Sequence, residues 1–350
     1  MRAAHAGPPS TTMDLTFHRA PHEMSEWKPS AAMKQLQARA DILSAIRHYF
    51  YRQSVTEVET PMLSRFATVD PHIDSFVVDM GSVSPQQPNQ RFLQTSPEFP
   101  MKRLLCAGSG DIYFLGRVFR KEEQGRRHNP EFTMLEWYRL DMDHHQLMDD
   151  VTRMLNTVTP FREARRCTYR ELFEHHLGVD PHRATDRELE ELVATHVDSS
   201  LARLTRNDCL DLLFSTCIEP HLGTARKAGL VGVYVYDYPA SMAALAAVAT
   251  DALGESVAQR FELFVNGVEL VNGYRELTDW REQEARFANA CKSRKQSGKT
   301  LYPYDSSLID GMRHGLPDCA GVAMGVDRLH MLIADVRDIK EVIPFGFDRA

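Results

Sequence analysis

The chain has 350 residues and a formal net charge of -7 at neutral pH, and 43% of its residues are hydrophobic and 25% charged. These values are ordinary for a globular protein and exclude a wholly disordered chain or a coiled coil. No apolar run approaches the ~18 residues that a membrane helix needs. The acidic balance argues against nucleic acid as the main partner, because phosphate backbones bind basic surfaces.

The six cysteines form no Cys-x-x-Cys pair. This usage predicts reduced thiols and a cytoplasmic location. The first residues are rich in Ala, Gly, Pro, Ser, Thr and His, which predicts a mobile N-terminal extension over residues 1–28. Residues 29–350 are then expected to form one folded domain.

The predicted elements are a few long helices and many strands. Apolar side chains recur at helical spacing over 32–51, 97–107 and 326–334. Alternating or buried apolar runs predict strands at 55–59, 91–95, 111–120, 132–140, 231–236 and 320–325, with a hairpin over 261–276. Residues 161–223 are helical in pattern and more polar, which predicts an inserted helical segment. This order favours an α+β fold, with an antiparallel β-sheet flanked by helices, over alternating βαβ units.

Two of the predicted strands flank a polar, basic loop. Because a strand alternates faces, Phe132, Glu136 and Tyr138 share one face, and Arg120 and Glu122 are expected to share a face of the partner strand. Such a surface could hold a planar base on the ring, a phosphate on the arginine, and an amine on the carboxylate and phenol. Alternation alone is equally compatible with an exposed face of salt-bridged side chains.

The predicted hairpin turns at Asn266-Gly267, a strong signal for a two-residue turn. This turn pairs Phe264 with Glu269 and places Glu262 about 7–8 Å from Glu269 at the backbone, as diagonal neighbours on one face. Two like charges at this spacing suit a hard divalent cation such as Mg²⁺ together with phosphate oxygens. The alternative is a pair of solvated acids on an exposed face.

Three polar residues follow on the second strand of the hairpin. Asn272, Tyr274 and Glu276 would lie on the face opposite to Glu269 if the strand were unbroken. A single site that uses all four side chains therefore needs a bulge between them. Gly273 is the predicted position of that bulge.

Small residues precede the last predicted helix. Gly321, Ala323 and Gly325 would let a ligand approach the backbone, and Arg328 lies in the first turn of the helix. An arginine at a helix N-terminus suits an anion. Glycines also mark ordinary tight packing, so this pattern alone is weak.

Together, these stretches resemble the motifs of class II aminoacyl-tRNA synthetases. Pro61, after the first helix and strand, resembles motif 1, the dimerisation element. The run from Arg120 to Phe132 resembles motif 2, and the run from Gly325 to Arg328 resembles motif 3. The resemblance covers about residues 30–350 and implies a class II synthetase catalytic fold and a homodimer.

Two runs narrow the resemblance to lysyl-tRNA synthetases: Arg127-His-Asn-Pro-Glu-Phe-Thr-Met-Leu-Glu136 and Asn272-Gly-Tyr-Arg-Glu276. About 30 preceding residues leave no room for their anticodon-binding OB domain of ~100 residues. The chain therefore resembles the truncated paralogues that join (R)-β-lysine to a lysine of translation elongation factor P. Ala323 stands where lysyl-tRNA synthetases normally have glycine, which weighs against α-lysine as the preferred substrate and leaves it as a second candidate.

The resemblance implies ATP and Mg²⁺ as cofactors and assigns roles to residues of this chain. The implied catalytic residues are Arg120 and Arg328. The implied ATP-binding residues are Arg120, Lys121, Glu122, His128, Asn129, Phe132, Glu269, Leu270, Gly325 and Arg328. The implied amino-acid pocket consists of Ser96, Pro97, Glu98, Glu136, Tyr138, Asn272, Tyr274, Glu276 and Ala323, and the implied metal ligands are Glu262 and Glu269.

The predicted function is therefore an AMP-forming ligase whose protein acceptor is elongation factor P, with no stable tRNA binding and no membrane partner. Two alternatives stay open: a lysine-type aminoacyl-tRNA synthetase with another tRNA-binding surface, and a non-catalytic paralogue that senses an amino acid. The basic run over 292–299 could dock an acidic acceptor, but a solvated loop is the commoner explanation of such a run.

Overall fold

The computed structural model describes residues 27–81, 89–201, 204–224 and 229–350. The predicted N-terminal extension lies outside these ranges up to residue 26. Across the four ranges, no helix combines the length and the apolar character needed to cross a membrane.

The predicted helices over 32–51, 97–107 and 326–334 are confirmed within one or two residues at each end. The α-helices are α1 Met33–Arg52, α2 Glu98–Cys106, α3 His144–Val158, α4 Tyr169–Leu177, α5 Asp186–His196, α6 Arg206–Leu213, α7 Trp280–Gln296, α8 Ser306–Gly315 and α9 Val326–Ala334. Helices α3 to α6 each begin with a capping box, in which a side chain before the helix accepts a backbone N–H that would otherwise be unpaired.

The strands are β1 Thr56–Glu57, β2 Leu63–Ser64, β3 Val77–Asp79, β4 Gln90–Leu93, β5 Ile112–Phe119, β6 Glu131–Leu140, β7 Phe161–Thr168, β8 Leu230–Pro239, β9 Val248–Thr250, β10 Ser256–Val265, β11 Val268–Arg275 and β12 Cys319–Gly325. The main sheet has the order β1-β5-β6-β12-β11-β10-β8-β7, with β9 beside β10. Its central strands are antiparallel, whereas the outer pairs β1–β5 and β7–β8 are parallel. The expected α+β fold is confirmed.

Helices cover both faces of the main sheet. Helices α1, α3 and α9 pack on one face around Phe50, Trp137 and Leu263. Helices α2 and α8 pack on the other face around Met101, Ile112 and the Tyr138 ring. Helix α2 therefore covers the face of the sheet that carries the Tyr138 ring.

The hairpin is confirmed, but its bulge is not where the sequence places it. Val265 pairs with Val268 as predicted, and Phe264 with Glu269. The register shifts between Leu263 and Phe264, so the extra residue on β11 is Leu270 and the prediction of Gly273 is wrong. A Cβ on Gly273 would lie 2.7 Å from the Phe261 ring, so close packing accounts for this glycine.

The predicted helical segment 161–223 begins with a strand. Phe161–Thr168 forms the edge strand β7, so the helical expectation is wrong for these eight residues. Polar residues are tolerated along this strand because only Phe161 and Cys167 are fully buried. Helices α4 to α6 then pack over β8 and β10 as a second core that includes Tyr169, Phe214 and Phe264.

Candidate active site

The sheet places four predicted site residues side by side. Glu136 on β6 lies opposite Ala323 on β12, which lies opposite Asn272 on β11. Asn272 in turn lies opposite Glu262 on β10. The bulge at Leu270 makes this row possible, because it returns Asn272 to the face that carries Glu262 and Glu269.

The neighbouring row contains Tyr138, Gly321 and Tyr274. A Cβ on Gly321 would lie 2.3 Å from the Tyr138 ring and 2.4 Å from the Glu276 carboxylate. Only glycine therefore leaves room for the tyrosine and the carboxylate to meet above β12. The small size of Gly321 is evident from the sequence, but this contact depends on the fold.

Three carboxylates converge above these rows. The Ser96 hydroxyl donates to Glu136 over 2.8 Å and the Tyr138 hydroxyl donates to it over 2.7 Å. The Tyr274 hydroxyl donates to Glu98 over 2.6 Å. We call this cluster the carboxylate pocket; its members are Ser96, Glu98, Lys102, Glu136, Tyr138, Tyr274 and Glu276.

Sequence reasoning missed Lys102. Its ammonium lies 2.7 Å from Glu98 Oε1 and 2.6 Å from Glu276 Oε2, and its side chain is 1% exposed. The spacing of four residues from Glu98 was the available signal, since residues four apart share a helix face. Pro97 lies directly before α2, and the Ser96 hydroxyl accepts the Glu98 backbone N–H over 3.0 Å, so the start of the helix aims both charged side chains inward.

Burial perturbs the acids of the pocket. Burial, with the nearby Glu98 charge, raises the pKa of Glu136 to about 7. Burial likewise raises the pKa of Glu276 to about 8, although Lys102 opposes the shift. Glu276 Oε1 is buried and has no hydrogen-bond partner among the described residues. A buried oxygen in this state suits a cationic donor from a ligand.

The second part of the site lies where β5 ends and β11 begins. Arg120 follows β5 directly, where its guanidinium lies 5.3 Å from the centre of the Phe132 ring and 3.1 Å from Glu123. The expectation that Arg120 and Glu122 share a face of the strand is wrong, because the strand ends at Phe119. Arg120 directly follows the strand, and Glu122 lies in the turn after it.

Arg328, in the first turn of α9, faces the same space. It donates to the Glu269 carbonyl over 2.9 Å, lies 3.6 Å from the Glu269 carboxylate and contacts His128 Nε2 at 2.6 Å. Burial and the Arg328 charge lower the pKa of His128, so the imidazole is neutral near pH 7. We call Arg120, His128, Phe132, Glu269 and Arg328 the arginine side of the site.

The remaining predicted nucleotide residues occupy three settings. Lys121 and Glu122 are exposed in the turn after β5. The Asn129 amide donates to the Glu131 carbonyl over 2.7 Å and accepts the Phe347 N–H over 3.0 Å, so it ties the loop to the C-terminal segment. Leu270 is buried at the bulge, and Gly325 is the residue before α9.

The two predicted metal ligands differ in their surroundings. Glu262 is 8% exposed; it contacts Arg260 closely and accepts the Tyr238 hydroxyl over 2.8 Å. Burial and repulsion from Glu269 raise its pKa to about 7 despite Arg260. The side chain of Glu269 is 39% exposed and borders, with Glu262, a cavity of ≈ 460 Å³. The sequence did not indicate a role for Arg260. Its ion pair with Glu262 becomes apparent only in the folded structure.

These two carboxylates fit Mg²⁺ in donor chemistry, because hard cations prefer oxygen and Mg²⁺ commonly takes one or two carboxylates with substrate phosphates. Within the described ranges, no group of three or more His, Cys, Asp or Glu side chains is arranged to hold a metal on its own. A metal here would therefore depend on ligands from a bound nucleotide.

A family model and individual relatives both match nearly the whole chain. A family model described as tRNA synthetases class II (D, K and N) matches residues 19–349. Proteins named elongation factor P–(R)-β-lysine ligase from Yersinia enterocolitica, Edwardsiella ictaluri and Vibrio cholerae are 43%, 44% and 45% identical to this chain. The alignments cover 94%, 94% and 93% of this chain and 99% of each relative.

Proposed function

Because this chain belongs to the family of class II tRNA synthetases (D, K and N), we propose that it is an ATP-dependent, AMP-forming ligase. It activates (R)-β-lysine as an adenylate and transfers it to a lysine ε-amine of translation elongation factor P, with α-lysine as a weaker substrate. It works as a homodimer in the cytoplasm and forms no stable complex with tRNA. The shared name of the relatives supports the acceptor and the isomer.

The observation that carries the proposal is the unpaired Glu276 Oε1 in a buried pocket with two further carboxylates, Glu98 and Glu136. Such a pocket favours a ligand with more than one ammonium group, since ionised partners make the stronger hydrogen bonds. The Arg120 guanidinium donates to the carbonyl of Thr95, the residue before Ser96 of the pocket, over 3.3 Å, which supports a role for it in binding the ligand carboxylate.

In the first step, an oxygen of the amino-acid carboxylate attacks the α-phosphorus of ATP. A bond forms between that oxygen and phosphorus, and the bond from phosphorus to the bridging oxygen breaks, so pyrophosphate leaves. Arg120 neutralises the α-phosphate and the attacking carboxylate, Phe132 stacks on adenine, and Arg328 holds the outer phosphates. Positioning and charge neutralisation of this kind account for most catalysis in phosphoryl chemistry.

Glu262 and Glu269 would hold Mg²⁺, which would supply further neutralisation of the phosphates. Arg328 contacts Glu269 already, so the arginine and the carboxylate of this chain converge on one place for polyphosphate. His128, being neutral near pH 7, can donate a hydrogen bond there without adding charge.

In the second step, the ε-amine of the acceptor lysine attacks the carbonyl carbon of the adenylate. An amide bond forms, the bond from carbon to the AMP oxygen breaks, and the amine gives up a proton. The carboxylate pocket holds the ammonium groups of the activated amino acid during this transfer. The reactive carbonyl of the amino acid therefore stays outside the pocket, where the acceptor lysine can reach it.

An ATP–pyrophosphate exchange assay with each lysine isomer tests the adenylation step. We expect exchange that is strongest with (R)-β-lysine and absent without a lysine isomer. Exchange without any isomer preference would contradict the choice of substrate, and no exchange at all would favour a non-catalytic sensor. Charging assays on bulk tRNA, run in parallel, should give no aminoacyl-tRNA; efficient charging would favour the synthetase alternative.

A further inference from the structure

Resting on the proposed function, we propose that Lys102 is a specificity-determining residue. It holds the net charge of the carboxylate pocket at a value that only a ligand with two ammonium groups neutralises. The three carboxylates alone would instead demand three positive charges, or two and a retained proton.

The position of Lys102 is unusual for a lysine. Its ammonium lies within 2.7 Å of both Glu98 and Glu276 and 5.5 Å from the centre of the Tyr274 ring, and its side chain is 1% exposed. Lysine is almost never fully buried unless it is paired, because the removal of an ammonium from water is costly. The two contacts hold it charged: Glu276 and Glu98 raise the pKa of Lys102 above its ordinary value although burial opposes them.

Arg260 donates to Asn272 beside the pocket but is paired with Glu262, so among the described residues its charge does not offset the count. The remaining titratable groups that face the pocket are the phenols of Tyr138 and Tyr274 and the thiols of Cys106 and Cys319. Burial raises the pKa of each of these four groups, so all four are neutral near pH 7. Burial raises the pKa of Glu136 to about 7 and that of Glu276 to about 8 in the empty pocket, but bound ammonium groups favour the ionised carboxylates. In the complex, three negative charges and the positive charge of Lys102 then leave a net charge of -2 on the protein side.

This charge explains why a diamino acid suits the pocket. Two ammonium groups bring the buried complex to neutrality, and Glu276 Oε1 offers an unused acceptor to one of them. A ligand with a single ammonium group leaves one buried carboxylate unpaired, which is strongly unfavourable. Lys102 thereby sets the number of ammonium groups that the pocket accepts, and it does so without touching the reacting atoms.

The test is the pH dependence of kcat for (R)-β-lysine-dependent ATP–pyrophosphate exchange, because kcat reports groups in the enzyme–substrate complex. In Lys102→Met the complex carries one excess negative charge, so one carboxyl must keep a proton. We expect the ratio of kcat at about pH 6.5 to kcat at about pH 8.5 to rise roughly tenfold relative to the unmodified protein. A purely structural role would lower kcat at every pH and leave this ratio unchanged.

Two further variants make the result specific. Arg103→Met removes a positive charge from the next residue of α2, which is exposed and lies 3.7 Å from Asp305, and it should leave the ratio unchanged. Lys102→Met combined with Glu276→Gln restores the net charge of -2, so its ratio should return to the wild-type value even if the rate stays low.

The proposal is overturned if Lys102→Met keeps the wild-type ratio, or if the double variant keeps the altered one. If Lys102→Met fails to fold, the double variant compared with Glu276→Gln alone gives the same decision, because removal of Lys102 then changes the charge from -1 to -2. Failure of the proposed function looks different: the unmodified protein itself would then show no lysine-dependent exchange.

Discussion

The carboxylate pocket is buried and most of its polar groups are hydrogen-bonded or ion-paired to one another, whereas the charged groups of the arginine side are partly exposed to solvent. Glu136 and Glu276 are 3% and 2% exposed, while the side chains of Glu269 and Arg328 are 39% and 25% exposed. The pocket is therefore pre-organised for its ligand before binding. The arginine side keeps its charges hydrated and available until polyphosphate arrives.

The difference in burial assigns selectivity for the amino acid to the pocket and control of the rate to the arginine side. A rigid buried pocket discriminates strongly, because an imperfect ligand leaves buried charges unpaired. Exposed, hydrated charges discriminate little between amino acids, but they can adjust their positions as the phosphate reacts. Changes in the pocket should therefore alter which amino acid is used, and changes on the arginine side should alter how fast any amino acid is used.

The largest effect is expected for Glu269→Gln on the arginine side. Loss of one of the two carboxylates that would hold Mg²⁺ beside the phosphates should lower ATP–pyrophosphate exchange roughly 100-fold or more, with the same factor for both lysine isomers. Glu131→Gln is a matched control, since Glu131 is 50% exposed and lies 3.5 Å from Arg117, much as Glu269 lies 3.6 Å from Arg328. Wild-type exchange in Glu269→Gln would refute the paired-carboxylate argument.

Ala323→Gly should change selectivity inside the pocket. The methyl group of Ala323 lies on the floor between Glu136 and Asn272. Its removal should shift the preference toward α-lysine by about 10–200-fold, the range for one methyl group in a tight pocket. Ala320→Gly is the control, because Ala320 lies on the opposite, core face of the same strand. An unchanged ratio of adenylation efficiencies for the two isomers would show that Ala323 is not the selector.

The raised pKa values of the pocket predict a pH-dependent response to ligand. Because Glu136 titrates near about 7 and Glu276 near about 8, the folded protein binds more protons than the unfolded chain above the ordinary carboxyl pKa. These two carboxyls therefore lower the free energy of unfolding as the pH rises from the ordinary carboxyl pKa to about 8. Two bound ammonium groups remove that cost, so the increase in Tm caused by (R)-β-lysine should be larger at about pH 8.5 than at about pH 6. Equal increases in Tm would contradict the assignment.

The smallest effect is expected for His128→Gln on the arginine side. His128 is neutral near pH 7 and contributes one hydrogen-bonding group beside Arg328, which glutamine can partly replace. We expect a rise of less than about tenfold in the KM for ATP with little change in kcat, which corresponds to one ordinary hydrogen bond. A large loss of kcat, or a new dependence on pH between about 7 and 8, would show that His128 carries charge or moves a proton.

Local signals predicted the framework of both regions. The Asn266-Gly267 turn fixed the pairing of Val265 with Val268, because a two-residue loop leaves one register. Period-2 alternation correctly grouped Glu136 with Tyr138. The same rule placed Arg120 on a strand that ends one residue earlier, since alternation carries no information about where pairing stops.

What the sequence did not show depends on contacts between distant elements. Lys102 is recognisable only when Glu276, 174 residues away along the chain, is brought beside it. Arg294 belongs to the basic run that favoured a solvated loop, yet it is fully buried and donates to the Asp70 carbonyl over 2.7 Å. The composition of the run predicted exposed side chains, because charged runs usually face solvent. The burial and pairing of Arg294 are apparent only from the fold.

The most direct test of the central claim is the intact mass of purified elongation factor P after incubation with this protein, ATP and each lysine isomer. We expect the added mass of one lysine residue, dependent on ATP and strongest with (R)-β-lysine, while tRNA in the same mixture stays uncharged. An unchanged mass of elongation factor P together with efficient charging of tRNA would contradict it.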